Sequence, residues 1–180
     1  MSLRVALARN PVLSASAAVA LAAAGAFLAF GWAAPSMALQ SMTDGSVTVC
    51  TPVHADGRVA IALPMVRNAT NAEIVVTDAA LVDPDAVRVV GFDLLPVAPP
   101  DVGYVGFPLD EVGLHPVFAP VTVAPGDEMV VAIALEPTSD AASRTEGVRL
   151  TYEVDGRLGT GSVDVMLAME TAPAGGVCGD

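Results

Sequence analysis

Four sets of residues in this chain have types and spacings that could do chemistry. The first is a metal set. His54 and His115 are the only two histidines, and a zinc or copper site would need them close together with Cys or Met support. Three residues separate Cys50 from His54, a gap that a strand or turn could close. The second set is acidic. Asp78, Asp83 and Asp85 could gather carboxylate oxygens for Ca²⁺, which takes six to eight oxygen ligands. There is no EF-hand loop, and Asp on either side of Pro84 is also ordinary turn chemistry. The third is Asn68-Ala69-Thr70, an N-x-T triplet, which accepts a glycan only where a glycosylation system exists. The fourth is Gly159-Thr160-Gly161-Ser162. It looks like a phosphate loop but lacks the Lys and the following helix, and glycine inside a hairpin strand predicts a bulge.

None of these sets carries a catalytic signature. The chain has no G-x-S-x-G elbow, no H-E-x-x-H and no P-loop. A non-catalytic protein without a cofactor is expected.

The two cysteines point to a compartment. Cys50 falls in the first candidate strand and Cys178 lies two residues from the C-terminus. Their spacing suits neither a CxxC redox site nor zinc. In an oxidising compartment two thiols in one small domain pair, so a Cys50–Cys178 disulfide is expected. The chain-entropy model gives so long a loop about 4–5 kcal/mol.

The N-terminus agrees with export. Arg4 and Arg9 precede Val12 to Trp32, a 21-residue apolar run without charge. At about 1.5 Å per residue it is long enough to cross a bilayer core of roughly 30 Å. The arginines would hold the N-terminus on the cytoplasmic side, and Trp32 would sit at the far interface. Two readings stay open: an uncleaved anchor, or a signal peptide cleaved after Ser36-Met37-Ala38. The expected organisation is a basic segment over 1–10, a transmembrane or signal helix over 11–34 and a linker over 35–45. A β-domain follows over 46–172, then a tail over 173–180 that holds Cys178. The exported part would face outward from a bacterial cell membrane. From residue 41 onward there are six arginines against twenty acidic residues. That balance repels phosphate backbones, so nucleic acid is excluded as a partner class.

Strand-type alternation positions these residues. Arg58 to Val66 places Val59, Ile61, Leu63 and Met65 on one face. Pro64 lacks a ladder donor, which predicts an edge or a bulge there. Ala86 to Leu95, Glu128 to Glu136, Val148 to Val154 and Val163 to Met169 follow the same period. Turns such as Pro125-Gly126-Asp127 and Asp155-Gly156 separate them. The fold class expected is all-β: an immunoglobulin-like antiparallel β-sandwich of about seven to eight strands, preceded by the N-terminal helix.

Pro96 to Pro120 breaks this rhythm, with six prolines and three glycines. It should be a long irregular excursion. It carries Tyr104, Phe107, His115 and Phe118, which form the candidate interaction surface. The competing expectation is that its aromatics fold back as a plug over one open end of the sandwich.

The Arg-led apolar N-terminus, the N-x-T turn followed by E-I-V-V, the P-G-D-E turn and the closing V-R-L-T-Y-E-V-D-G-R hairpin together resemble exported actinobacterial β-sandwich proteins. The resemblance covers about residues 46 to 170 and is one of scaffold. The role expected is an accessory or protein-interaction module of the cell envelope, membrane-bound through the N-terminal helix, with another envelope protein as partner. The layout is also faintly similar to cupredoxin-like periplasmic copper chaperones. That implies the alternative of a metal or small-ligand carrier, although the His-x-Met pair of those proteins is absent here.

Overall fold

The computed structural model describes residues 37–97, 103–112 and 118–178. They form an all-β, two-sheet sandwich, with ten strands among the described residues. The strands are β1 (Leu39–Ser41), β2 (Asp44–Pro52), β3 (Val59–Asn68), β4 (Ile74–Val82) and β5 (Val87–Pro96). Then come β6 (Tyr104–Phe107), β7 (Val121–Val123), β8 (Glu128–Pro137), β9 (Ser143–Val154) and β10 (Thr160–Ala172). One sheet runs β1-β3-β8-β5, with β6 also on β3. The other runs β2-β10-β9-β4-β7.

The alternation in the sequence fills the space between the sheets. Val59 and Ile61 from β3, Val131, Ile133 and Leu135 from β8, and Leu150 and Tyr152 from β9 are fully buried there. Each such side chain contributes about 1.5–3 kcal/mol through removal from water. Ion pairs, most of them between strands, spend four of the arginines on the outer faces. Arg149 grips Asp164 with two nitrogens at 2.6 and 2.7 Å. Arg58 and Arg88 converge on Glu136 at 3.1 and 2.6 Å. Arg144 pairs with Glu146 at 2.9 Å and also meets Glu170.

Several expectations need correction. The fold begins inside the expected linker, because Ala38 and Leu39 are buried in the core and β1 pairs with the end of β3. The sheets are not wholly antiparallel: β2 runs parallel to β10. The strand count exceeds eight because the N-terminal stretch divides between the two sheets and the proline-rich excursion contributes β6. Pro64 does not mark an edge, since β3 has neighbours on both sides. It marks an irregularity, and the β3–β8 register shifts between Ala62 and Met65. The expected helix over 11–34 lies outside the described residues. Among the described residues no helix is long and apolar enough to cross a membrane.

Candidate functional site

The excursion is built onto the sandwich rather than hung from it. The outer face of the β3–β8 region presents Ala60, Ala62, Val130, Ala132 and Ala134, all buried. Leu109 is buried with them, and Tyr104, Val112 and Val97 pack against the same cluster. Small side chains on the sheet let the excursion lie close. The expected plug over an open end is thus a cover over one face. The sequence held a signal for this: β3 and β8 are apolar on both faces, one face large and the other mostly alanine.

Within the excursion β6 extends the β3 edge, with Tyr104 opposite Ala62 and Phe107 opposite Ala60. It also touches the other sheet. Gly106 has φ +77, and a Cβ there would lie 2.1 Å from the Thr51 hydroxyl, so only glycine fits. That close approach brings the Gly106 carbonyl 2.8 Å from His54 Nε2, which donates to it. The link between β6 and the β2–β3 turn closes this side of the sandwich.

The four interaction residues fall into separate places. Tyr104 and Phe107 make an edge-to-face pair at 5.8 Å. Phe118 leans on the core ring of Phe92 at 5.9 Å. Phe107 and Phe118 remain 43% and 47% exposed, high for phenylalanine. The Tyr104 hydroxyl is buried without a hydrogen-bond partner. Burial, with Asp93 nearby, raises its pKa above the ordinary phenol value. His115 lies outside the described residues.

Among the described residues the metal sets are not assembled. Asp78 sits partway along β4 opposite Thr151, with Asp83 five residues farther along the chain. Strand rise separates these two by roughly 16 Å, too far for one calcium. Asp85 is held elsewhere, its backbone pairing both ways with Arg144 at 2.7 and 3.0 Å. Among the described residues no group of three or more His, Cys, Asp or Glu could hold a metal ion. Cys50 is bonded to Cys178, which removes its thiolate as a ligand for the His54 set.

The disulfide itself is as expected, joining β2 to the tail across 128 residues. The N-x-T triplet is structural. Asn68 is fully buried, with Nδ2 donating to the carbonyls of Ala72 (2.9 Å) and Val123 (3.0 Å). Its Oδ1 accepts from Thr70 N (2.9 Å) and lies 2.8 Å from the Thr70 hydroxyl. The backbone of Asn68 pairs with Asp127 and Gly126 at 3.0 Å each. One asparagine thus ties the β3–β4 turn to the β7–β8 turn. Gly159-Thr160-Gly161-Ser162 is likewise scaffold, though not the predicted bulge. Gly161 faces Tyr152 across the β9–β10 ladder, and a Cβ there would meet its ring at 2.7 Å.

No protein-family model matches the chain. No curated protein sequence matches it either. Distant similarity is found among solved structures. The ASH/PapD-like domain 7 of human CEP192 aligns at TM-score 0.40 and 8% identity, over 78% of this chain and 89% of that one. The Vibrio cholerae VesB protease aligns at TM-score 0.37 and 12% identity, over 75% of this chain and 32% of that one. The N-terminal domain of PorA aligns at TM-score 0.30 and 12% identity, over 76% and 98%.

Proposed function

We propose that the chain is a non-catalytic, membrane-anchored interaction module of the bacterial cell envelope, with an immunoglobulin-like sandwich outside the membrane. Strand order supports the fold part: β1-β3-β8-β5 follows the A-B-E-D sheet of that plan, and β4-β9-β10 its C-F-G sheet.

The observation that carries the interaction role is the exposure of Phe107 and Phe118 on an excursion whose Val97, Tyr104, Leu109 and Val112 are packed down. Half-exposed aromatic rings on a rigid support are natural anchors for a protein partner. The acidic surface favours a partner with basic character at its rim.

Retention of the N-terminal segment has its own support. The Ala38 carbonyl accepts the Ala69 N–H at 2.9 Å, and both Ala38 and Leu39 are buried. Cleavage after Ala38 would remove that acceptor and put a new ammonium group on a buried leucine, which is costly without a partner.

The test is co-purification from solubilised membranes. A Phe107→Ser, Phe118→Ser double variant that still folds should lose the proteins that the wild-type chain retains. Equal recovery with both would reject the aromatic surface as the docking site.

A further inference from the structure

We propose that the Cys50–Cys178 disulfide is a thiol-sensitive clasp on the edge strand β2, which can open while the sandwich core stays folded. The proposal does not depend on where the N-terminus lies.

β2 is poorly held for a nine-residue strand. Among its described residues Thr51, which lies under Gly106, is the buried one, and Val49 packs part-buried against the core. Asp44, Gly45, Val47, Thr48 and Pro52 are exposed. β2 pairs along one side only, in a parallel ladder to β10 whose register shifts between Met166 and Ala168. By contrast, β8 between its two neighbours is buried along most of its length.

Both flanks of β2 are fastened independently of it. Met42 N donates to the Met65 carbonyl at 2.8 Å, and Met65 N donates to the Thr43 hydroxyl at 3.0 Å. On the other side His54 N donates to the Arg58 carbonyl at 3.2 Å, and the His54 ring reaches Gly106. Residues 44–52 can therefore leave as a loop tied at both ends, a local opening of the kind proteins sample below global unfolding. The tail is equally light. It turns at Pro173, where Gly176 N donates to the Pro173 carbonyl at 2.8 Å, and Val177 is exposed.

The disulfide joins these two light segments where a reagent can reach it. Cys50 lies opposite Glu170 in the ladder, and Glu170 lies opposite Arg144. Both sulfur-bearing residues are half-buried at a surface depression of about 390 Å³ that Arg144, Glu170 and Val177 also line. A dithiol attacks one sulfur, passes through a mixed disulfide and leaves as its own cyclic or linked disulfide. Two electrons and two protons move to the protein, which ends with two free thiols. The β10 edge from Ala168 to Ala172 then loses its partner strand.

Hydrogen exchange on the full-length chain in detergent, with and without dithiothreitol, tests this. Exchange in 44–52 and 173–178 should rise at least about tenfold on reduction, with 128–137 and 143–154 unchanged. A Cys50→Ser, Cys178→Ser variant should show the same pattern without dithiothreitol. The proposal is overturned if the bond resists dithiothreitol in the absence of denaturant. It is equally overturned if thiols are freed while β2 keeps its protection, or if all strands lose protection together.

Discussion

Thr70 and Asn68 close a ring at the start of the β3–β4 turn: the Thr70 amide donates to Asn68 Oδ1 at 2.9 Å, and its hydroxyl lies 2.8 Å from the same oxygen. The asparagine's other end satisfies two carbonyls, one of them on β7. Asn68→Ala should therefore cost about 2–4 kcal/mol, since it strands the buried Val123 carbonyl and the Thr70 amide and removes one of two donors to the Ala72 carbonyl. Thr70→Ala should cost nearer 1 kcal/mol, and chemical denaturation of the three proteins checks the order. The same burial predicts that the folded protein carries no glycan at Asn68 even in a host able to attach one, which intact mass will show.

Gly161→Ala should destabilise by about 1–3 kcal/mol, because the new methyl has to displace the fully buried Tyr152 ring. Gly126→Ala is the control. It has φ +81 and open space around it, so it should lose only the backbone strain of about 1 kcal/mol. Equal losses at both positions would show that crowding against Tyr152 is not what requires glycine at 161.

Acid should weaken the sandwich through Glu136. Hydrogen bonds from Arg88 and Arg58 hold its pKa below the ordinary carboxylate range. A carboxylate with a lowered folded-state pKa contributes stability above its unfolded value, and that contribution fades as pH falls through the folded value. Asp164, lowered by Arg149, acts in the same direction. Glu136→Gln should lose about 0.5–1 kcal/mol at neutral pH, and the gap to wild type should close as pH falls below the ordinary carboxylate range. Melting curves across that range measure it.

Protein taken from native membranes should keep its N-terminal segment. The buried Ala38 and its bond to Ala69 make cleavage after Ala38 costly to the fold. Intact mass gives the answer directly: a mature chain starting at Leu39 would replace the anchored reading with a secreted one.

The two-sheet plan was legible because strands such as β9 alternate strictly, with Gly147 to Val154 buried at nearly every second residue. The disulfide was legible from compartment and count. The sheet-switching N-terminus was not: Leu39–Ser41 is too short to show a period, and its strand state depends on pairing with residues near Asn68. β6 was hidden for a related reason. Proline content marks 96–120 as irregular, yet four residues between prolines suffice to extend an edge. Spacing alone could not say whether the acidic set gathers, because proximity in sequence is not proximity along a strand, where five residues span roughly 16 Å.

The aromatic excursion, if it receives a protein partner, should hold that partner within reach of Phe107. A photo-crosslinking amino acid at position 107, in the full-length chain in its native membrane, tests it most directly. Position 158, an exposed leucine in the β9–β10 turn, is the control. A discrete crosslinked species is expected from 107 and none from 158. No adduct at 107, or the same adducts from both positions, would contradict docking at the excursion.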